Sequence, residues 1–151
     1  MSVIPELIDF GGPWNLLPPG IHSASFSEIE TVFAFNSHRS RLFEGFRRAC
    51  IHLRHAGCRL LYLDGSFVSN KELPGDYDVC WVSNGIKIDL LDPVFTNYDD
   101  TAPQKAKYGG EFFVTLHQPF AGTFFLEYFQ KDKQTDKKKG ILSVSLTAPI
   151  L

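Results

Sequence analysis

Residues 60–82 read Leu60-Leu-Tyr-Leu-Asp64-Gly65-Ser66-Phe-Val-Ser-Asn-Lys71-Glu-Leu-Pro-Gly75-Asp76-Tyr77-Asp78-Val-Cys-Trp-Val82. The order is an apolar strand, a Gly-Ser turn, a polar loop and a second apolar strand that opens on two alternating carboxylates. Side chains alternate faces along a strand, so Asp76 and Asp78 share one face while Tyr77 and Val79 take the other. Two neighbouring carboxylates repel each other, and burying them unpaired is costly. A divalent cation removes both penalties. Mg²⁺ suits the pair because it takes one or two carboxylates and completes its shell with water and substrate phosphates.

Working outward, Cys58–Leu63 is the first core strand and leads directly into Gly65-Ser66. Glycine lets a backbone approach a phosphate closely, and Ser66 adds a hydroxyl and an N–H. Taken alone, Gly-Ser is only a turn. Pro74-Gly75 sets the turn that delivers Asp76. Lys71, in the polar loop, is placed to steady a triphosphate, although an exposed loop lysine is the commoner case. Upstream, Ser25-Phe-Ser-Glu28 and Ser27-Glu-Ile-Glu30 both fit a capping box, which predicts a short helix to about Phe35. Asn36-Ser37 caps a longer helix that stops at Gly57. Its apolar stripe is Leu42, Phe46, Ala49, Cys50 and Leu53. Arg41, Arg47, Arg48, His52, Arg54 and His55 lie mostly off the stripe. They form either a surface for nucleic acid or an acidic partner, or a solvated face, and the solvated face is the default.

Downstream, Ser83-Asn84-Gly85 is a turn and Ile86–Val94 a mixed segment holding Asp89 and Asp92. Asp99-Asp100 opens a helical turn carrying Lys105 and Lys107, which Gly109-Gly110 ends. Glu111–Leu116 is the third strand. Glu111 stands at the head of that strand, and Asp89, in the mixed segment before it, is the alternative should a further acid join Asp76 and Asp78. Lys105 and Lys107 precede Glu111 closely enough to reach phosphates; ordinary surface lysines fit the same pattern equally well. Thr123–Gln130 reads as a strand or a short helix, residues 131–139 as a charged loop with a lysine run at its tip, and Ile141–Leu146 as a final strand.

The Gly65-Ser66 turn, the polar loop and Asp76-Tyr77-Asp78 before an apolar strand resemble the signature of the DNA polymerase beta-like nucleotidyltransferases. The likeness is to the small single-domain bacterial forms often encoded as antitoxins. It is close over residues 60–82 and looser to Leu116. The resemblance implies an α/β (α+β) fold with a short mixed sheet and helices on one face. It implies Mg²⁺ held by Asp76, Asp78 and a third acid (Glu111 here, where the family usually offers Asp), and Gly65 and Ser66 lying against a nucleoside triphosphate such as ATP. It further implies transfer of a nucleoside monophosphate to a hydroxyl, on a partner protein such as a toxin or on an RNA end. Asp64 receives no metal role from it. The alternative function is a nucleotidyltransferase fold used as a binding module that neutralises a partner by occlusion.

Composition bounds these readings. A chain of 151 residues is one domain's worth. It divides into an N-terminal arm (1–24), helices (25–57), a catalytic core (58–116) and a C-terminal extension (117–151). The 44% hydrophobic and 21% charged shares are those of a globular chain, and a net charge of −2 gives no overall drive toward nucleic acid. Fourteen Phe point to an aromatic core or interface. Three Cys without ligand spacing, no signal-peptide pattern and no membrane-length apolar run predict a reduced, cytoplasmic protein. The arm punctuates too often for regular structure, yet its apolar residues predict that it lies across the body.

Overall fold

The computed structural model describes residues 3–97, 99–115 and 128–150. The expectations for Leu116 and for most of Thr123–Gln130 fall outside them. The fold is α+β, with a five-stranded mixed sheet and helices on one face. The strands are β1 (Gly20–Ser23), β2 (Leu60–Asp64), β3 (Tyr77–Val82), β4 (Gly110–Thr115) and β5 (Gly140–Ser145), in the order β1-β5-β2-β3-β4. β5 pairs parallel with β1 and antiparallel with β2, β2 antiparallel with β3, and β3 parallel with β4.

Two of the four predicted segments need correction. The C-terminal part is no extension, because β5 is an inner strand hydrogen-bonded on both sides. Nor is the arm only an arm, since its last residues supply the edge strand β1. The remainder of the arm lies on the body as expected, burying Ile4, Phe10, Leu16 and Leu17.

Helix α1 (Phe26–Phe33) starts on the reciprocal capping box of Ser25 and Glu28, each side chain accepting from the other's backbone N–H at 3.1 Å. Helix α2 (Ser37–His55) starts where the Asn36 side chain accepts from Arg39 N–H at 2.8 Å. It ends ahead of Gly57, whose φ of +104° is the left-handed region that favours glycine. Helix α3 (Ala102–Tyr108) has Pro103 in its first turn and Gly109 at φ +86° after its last. The parallel pairing of β3 with β4 requires a crossover, which residues 83–109 provide through two short 3-10 turns and α3.

One sheet face packs Leu61, Leu63, Tyr77, Val79, Trp81, Phe112, Leu142 and Val144 against all three helices. The other packs Tyr62, Cys80, Val82 and Ile141 with Phe129. The phenylalanines expected for core or interface go mostly to the core; Phe35 is the exposed one among those described. Tyr77 anchors β3 by meeting Phe46, Phe67 and Phe112 edge-on and donating its hydroxyl to the Tyr108 carbonyl at 2.8 Å. With Tyr77 turned inward, Asp76 and Asp78 must face away from the helices.

Helices α2 and α3 meet at Gly45, where a methyl would overlap the Tyr108 carbonyl oxygen. Elsewhere in a helix, Gly→Ala stabilises by about 1 kcal/mol. Here the sign reverses. Gly45→Ala is expected to destabilise by about 1–3 kcal/mol through overpacking, lowering the melting temperature by roughly 3–10 °C; differential scanning calorimetry would read it.

Candidate active site

The sheet register places Asp64 opposite Asp78 and Asp78 opposite Glu111, so three carboxylates form a row across β2, β3 and β4 on the sheet face turned away from α1 and α2. Asp76 stands one alternation before Asp78. One carboxylate oxygen each from Asp76, Asp78 and Glu111 lies within 4.8 Å of the others. An octahedral Mg²⁺ with bonds of about 2.1 Å holds its ligand oxygens within about 4.2 Å of one another. Small side-chain rotations therefore bring the three to ligand distance, and an all-oxygen donor set is the one a hard cation takes. Asp89, the alternative third acid, is exposed in a 3-10 turn beyond the far end of β3 and is not in this cluster.

The electrostatics of the cluster are those of a site short of positive charge. Burial, followed by repulsion from Asp64, Asp76 and Glu111, pushes the Asp78 carboxyl up to about 7. Lys105 supplies part of the missing charge, its ammonium 3.0 Å from Asp76 and 3.7 Å from Glu111. The hydrogen bond to Asp76 is the main reason its own pKa is raised. Lys105 is aimed there because its neighbour Gln104 is buried and pinned. The Gln104 amide donates to the Val94 and Phe112 carbonyls and accepts from Phe112 N–H at 2.8 Å, which locks α3 onto β4. Thr101, ahead of α3, donates to Glu111 at 2.6 Å.

Gly65 and Ser66 lie where β2 ends, beside Asp78. Gly65 has φ +91°, and a Cβ there would sit 3.1 Å from the Asp78 backbone nitrogen. Only glycine meets both conditions comfortably. A cleft of about 160 Å³ opens at this point, lined by Trp14, Asp64, Gly65, Ser66, Asp78, Lys131, Lys133 and Lys139 among others. It is smaller than the roughly 300–1,000 Å³ of pockets that enclose whole drug-sized ligands, so its size suits the phosphate portion of a nucleotide.

The structure separates the other two expected phosphate lysines from the acids. Lys71 stacks on Trp14, its ammonium 4.6 Å from the ring centroid. Lys107 pairs with Asp92 at 2.5 Å and turns toward Tyr108. In their place the C-terminal segment brings Lys139, from the lysine run read as a loop tip, and Lys133, from the charged loop before it. Lys139 is buried and ion-paired with buried Asp64, in the wall of the cleft. Burial raises the Asp64 carboxyl, and Lys139 opposes that rise. Lys133 lines the same cleft, and its raised pKa owes most to a hydrogen bond with Tyr128 and less to Asp78 and Glu111.

Arg39 was the other residue missed. It is the α2 arginine that does not reach solvent, and its guanidinium ends among the carbonyls of residues 66–71. Burial lowers it to about 10, so it stays charged at neutral pH. A signal existed in its position three residues before Leu42, which puts it on the buried side of the helix.

No curated protein and no solved structure gave a significant match to this chain. A family model matches residues 8–145, which takes in the arm from Ile8 onward, every strand and all the acids above. The chain therefore belongs to the family described as "Family of unknown function (DUF6932)".

Proposed function

We propose that this protein is a Mg²⁺-dependent nucleotidyltransferase, moving a nucleoside monophosphate from a nucleoside triphosphate to an acceptor hydroxyl. The observation that carries the reading is the convergence of Asp76, Asp78 and Glu111 beside the Gly65–Ser66 turn and a lysine-lined cleft. Asp76, Asp78 and Glu111 would hold the metal, which supplies charge neutralisation of the triphosphate and acidifies the attacking hydroxyl. Gly65 and Ser66 bind phosphate oxygens, and Lys139 and Lys133 offset their charge. Lys105 keeps Asp76 and Glu111 close together before substrate arrives. The acceptor oxygen attacks the α-phosphorus, the bond from that phosphorus to the bridging oxygen of the β-phosphate breaks, and pyrophosphate leaves. The acceptor proton would pass to Glu111, the carboxylate at the start of β4.

A groove between α2 and α3, lined by Arg41, Arg48, Lys105 and Lys107, opens on the acids through Lys105. Among the described residues no carboxylate lines it, which favours an RNA end over a protein side chain as acceptor. The test is incubation with α-labelled triphosphates, Mg²⁺, and either RNA or the product of the neighbouring gene. Label is expected on the RNA, declining steeply with salt, and absent with Asp76→Asn or Asp78→Asn. Label on the protein instead would select a partner such as a toxin. Tight partner binding without transfer, unaffected by those substitutions, would establish the occluding module.

A further inference from the structure

The polar loop between the Gly-Ser turn and the carboxylate pair holds its shape through one buried side chain. Arg39 is fully buried. Its Nε donates to the Lys71 carbonyl at 3.0 Å. Nη1 donates to Phe33 at 2.9 Å and to Phe67 at 2.7 Å. Nη2 donates to Ser69 at 2.8 Å and to Lys71 at 2.6 Å, with a longer contact of 3.4 Å to Ser66. The guanidinium is sandwiched by the rings of Phe35 and Phe67, 4.4 and 5.2 Å from its carbon. Among the described residues no carboxylate pairs with it, so the loop carbonyls carry its counter-charge. Burying a charge this way is costly unless each donor is used. Here the donors are spent on a stretch of chain whose first residue is the expected phosphate ligand.

Neighbouring groups extend the clamp. Asn36 donates to the Glu72 carbonyl at 2.8 Å, and His38 binds the Pro74 carbonyl at 2.5 Å. On the other side the arm braces the loop, with Asn15 N–H donating to the Asn70 side chain at 2.7 Å and Leu16 bridging Ser69. The start of α2 thus gathers carbonyls from Ser66 to Pro74, stopping two residues short of Asp76. A loop of this composition, with Gly75 and few apolar anchors of its own, otherwise has many conformations to lose on binding a ligand.

We propose that Arg39 is a positioning residue for the nucleotide: by fixing the 66–71 carbonyls it presets the Gly65–Ser66 turn, so that a triphosphate meets a formed cradle. This rests on the nucleotidyl-transfer reading. A lysine keeps the charge but has a single donor centre, so it cannot span the carbonyls of Phe33, Phe67, Ser69 and Lys71 together. Alanine leaves a guanidinium-shaped hole.

The experiment measures kcat and KM for Arg39→Lys and Arg39→Ala with whichever of ATP, GTP, CTP or UTP the wild type binds in the presence of Mg²⁺, below the melting temperature of each variant. Mn²⁺ binding to the acids is followed in parallel by electron paramagnetic resonance. The expected result is a ten- to hundredfold rise in KM with a smaller change in kcat. Mn²⁺ binding is unchanged, and free guanidinium at millimolar concentration partly restores KM for Arg39→Ala but not for wild type. Should Arg39→Ala fail to fold, Arg39→Lys carries the same KM prediction. Variants that melt lower yet keep the wild-type KM make Arg39 a stabilising residue only and overturn the inference, leaving the nucleotidyl-transfer reading intact. Absence of triphosphate binding by wild type overturns both.

Discussion

Replacing Asp78 by asparagine is expected to abolish the proposed nucleotidyl transfer and, in metal-free buffer, to raise the melting temperature. The two effects have one cause. Asp78 is half-buried, with Asp64 and Glu111 across from it on the adjoining strands and Asp76 just ahead of its own strand. That surround pushes its carboxyl from 3.8 to about 7, so without a cation it resists ionisation. Losing one of the three proposed metal ligands would remove several kcal/mol of charge stabilisation, a fall in rate of about a thousandfold or more. The same substitution removes a strained charge. After allowance for the amide's own desolvation, a gain of about 1–3 kcal/mol follows from a shift of this size, or roughly 3–10 °C in melting temperature.

The pH dependence has a definite sign. A carboxyl whose folded pKa lies above its unfolded value binds more protons in the folded state across the interval between them. Stability of the metal-free protein therefore falls as pH rises from about 4 to about 7 and levels off above. The Asp64 carboxyl, also raised, acts in the same direction. Asp78→Asn flattens this slope. Added Mg²⁺ opposes it in wild type, because a ligand bound only by the folded state stabilises in proportion to the logarithm of its concentration, and fails to do so in the variant. An Asp78→Asn protein that melts below wild type in chelator would show that the acids are not held against their repulsion.

How much of this was legible depended on the range of each interaction. Period-two alternation sufficed to put Asp76 and Asp78 on one face, since Tyr77 between them needs the core. Gly109-Gly110 sufficed to start β4 with Glu111 at its head, because a left-handed turn must precede the strand. The capping residues Ser25 and Asn36 fixed both helix starts from within four residues. What sequence reading misjudged was set by contacts distant in the chain. Arg39 drew no reading at all because the carbonyls that bury it arrive some thirty residues later. β5 read as part of an extension because nothing local reveals that β1 and β2 leave a strand-wide gap between them. Lys71 and Lys107 had the right charge and spacing, but Trp14 and Asp92 claim them.

Lys139→Met is expected to be among the most destabilising single substitutions in the chain, costing about 3–5 kcal/mol by leaving a buried carboxylate without its cation. The side chains of Lys139 and Asp64 are 10% and 7% exposed, so water cannot replace the lost partner. Asp64 stands across from Asp78 in the β2–β3 register, and each unneutralised charge there adds to the repulsion that the cluster already carries. Deprived of Lys139, Asp64 folds more readily as the neutral acid. The variant should then gain stability on acidification below neutral pH more steeply than wild type does. The double variant Asp64→Asn with Lys139→Met removes both charges and should recover most of the loss, since a broken buried pair costs far more than an absent one. Urea unfolding of the four proteins in the cycle measures this directly. A single-variant cost under about 1 kcal/mol, in the range of surface pairs, would show that the pair is solvated and that Lys139 is free to act on substrate phosphates alone. A large cost with recovery in the double variant would mean that Lys139 works first as the counter-charge to Asp64. Its effect on phosphate binding would then appear as loss of transfer in the folded double variant.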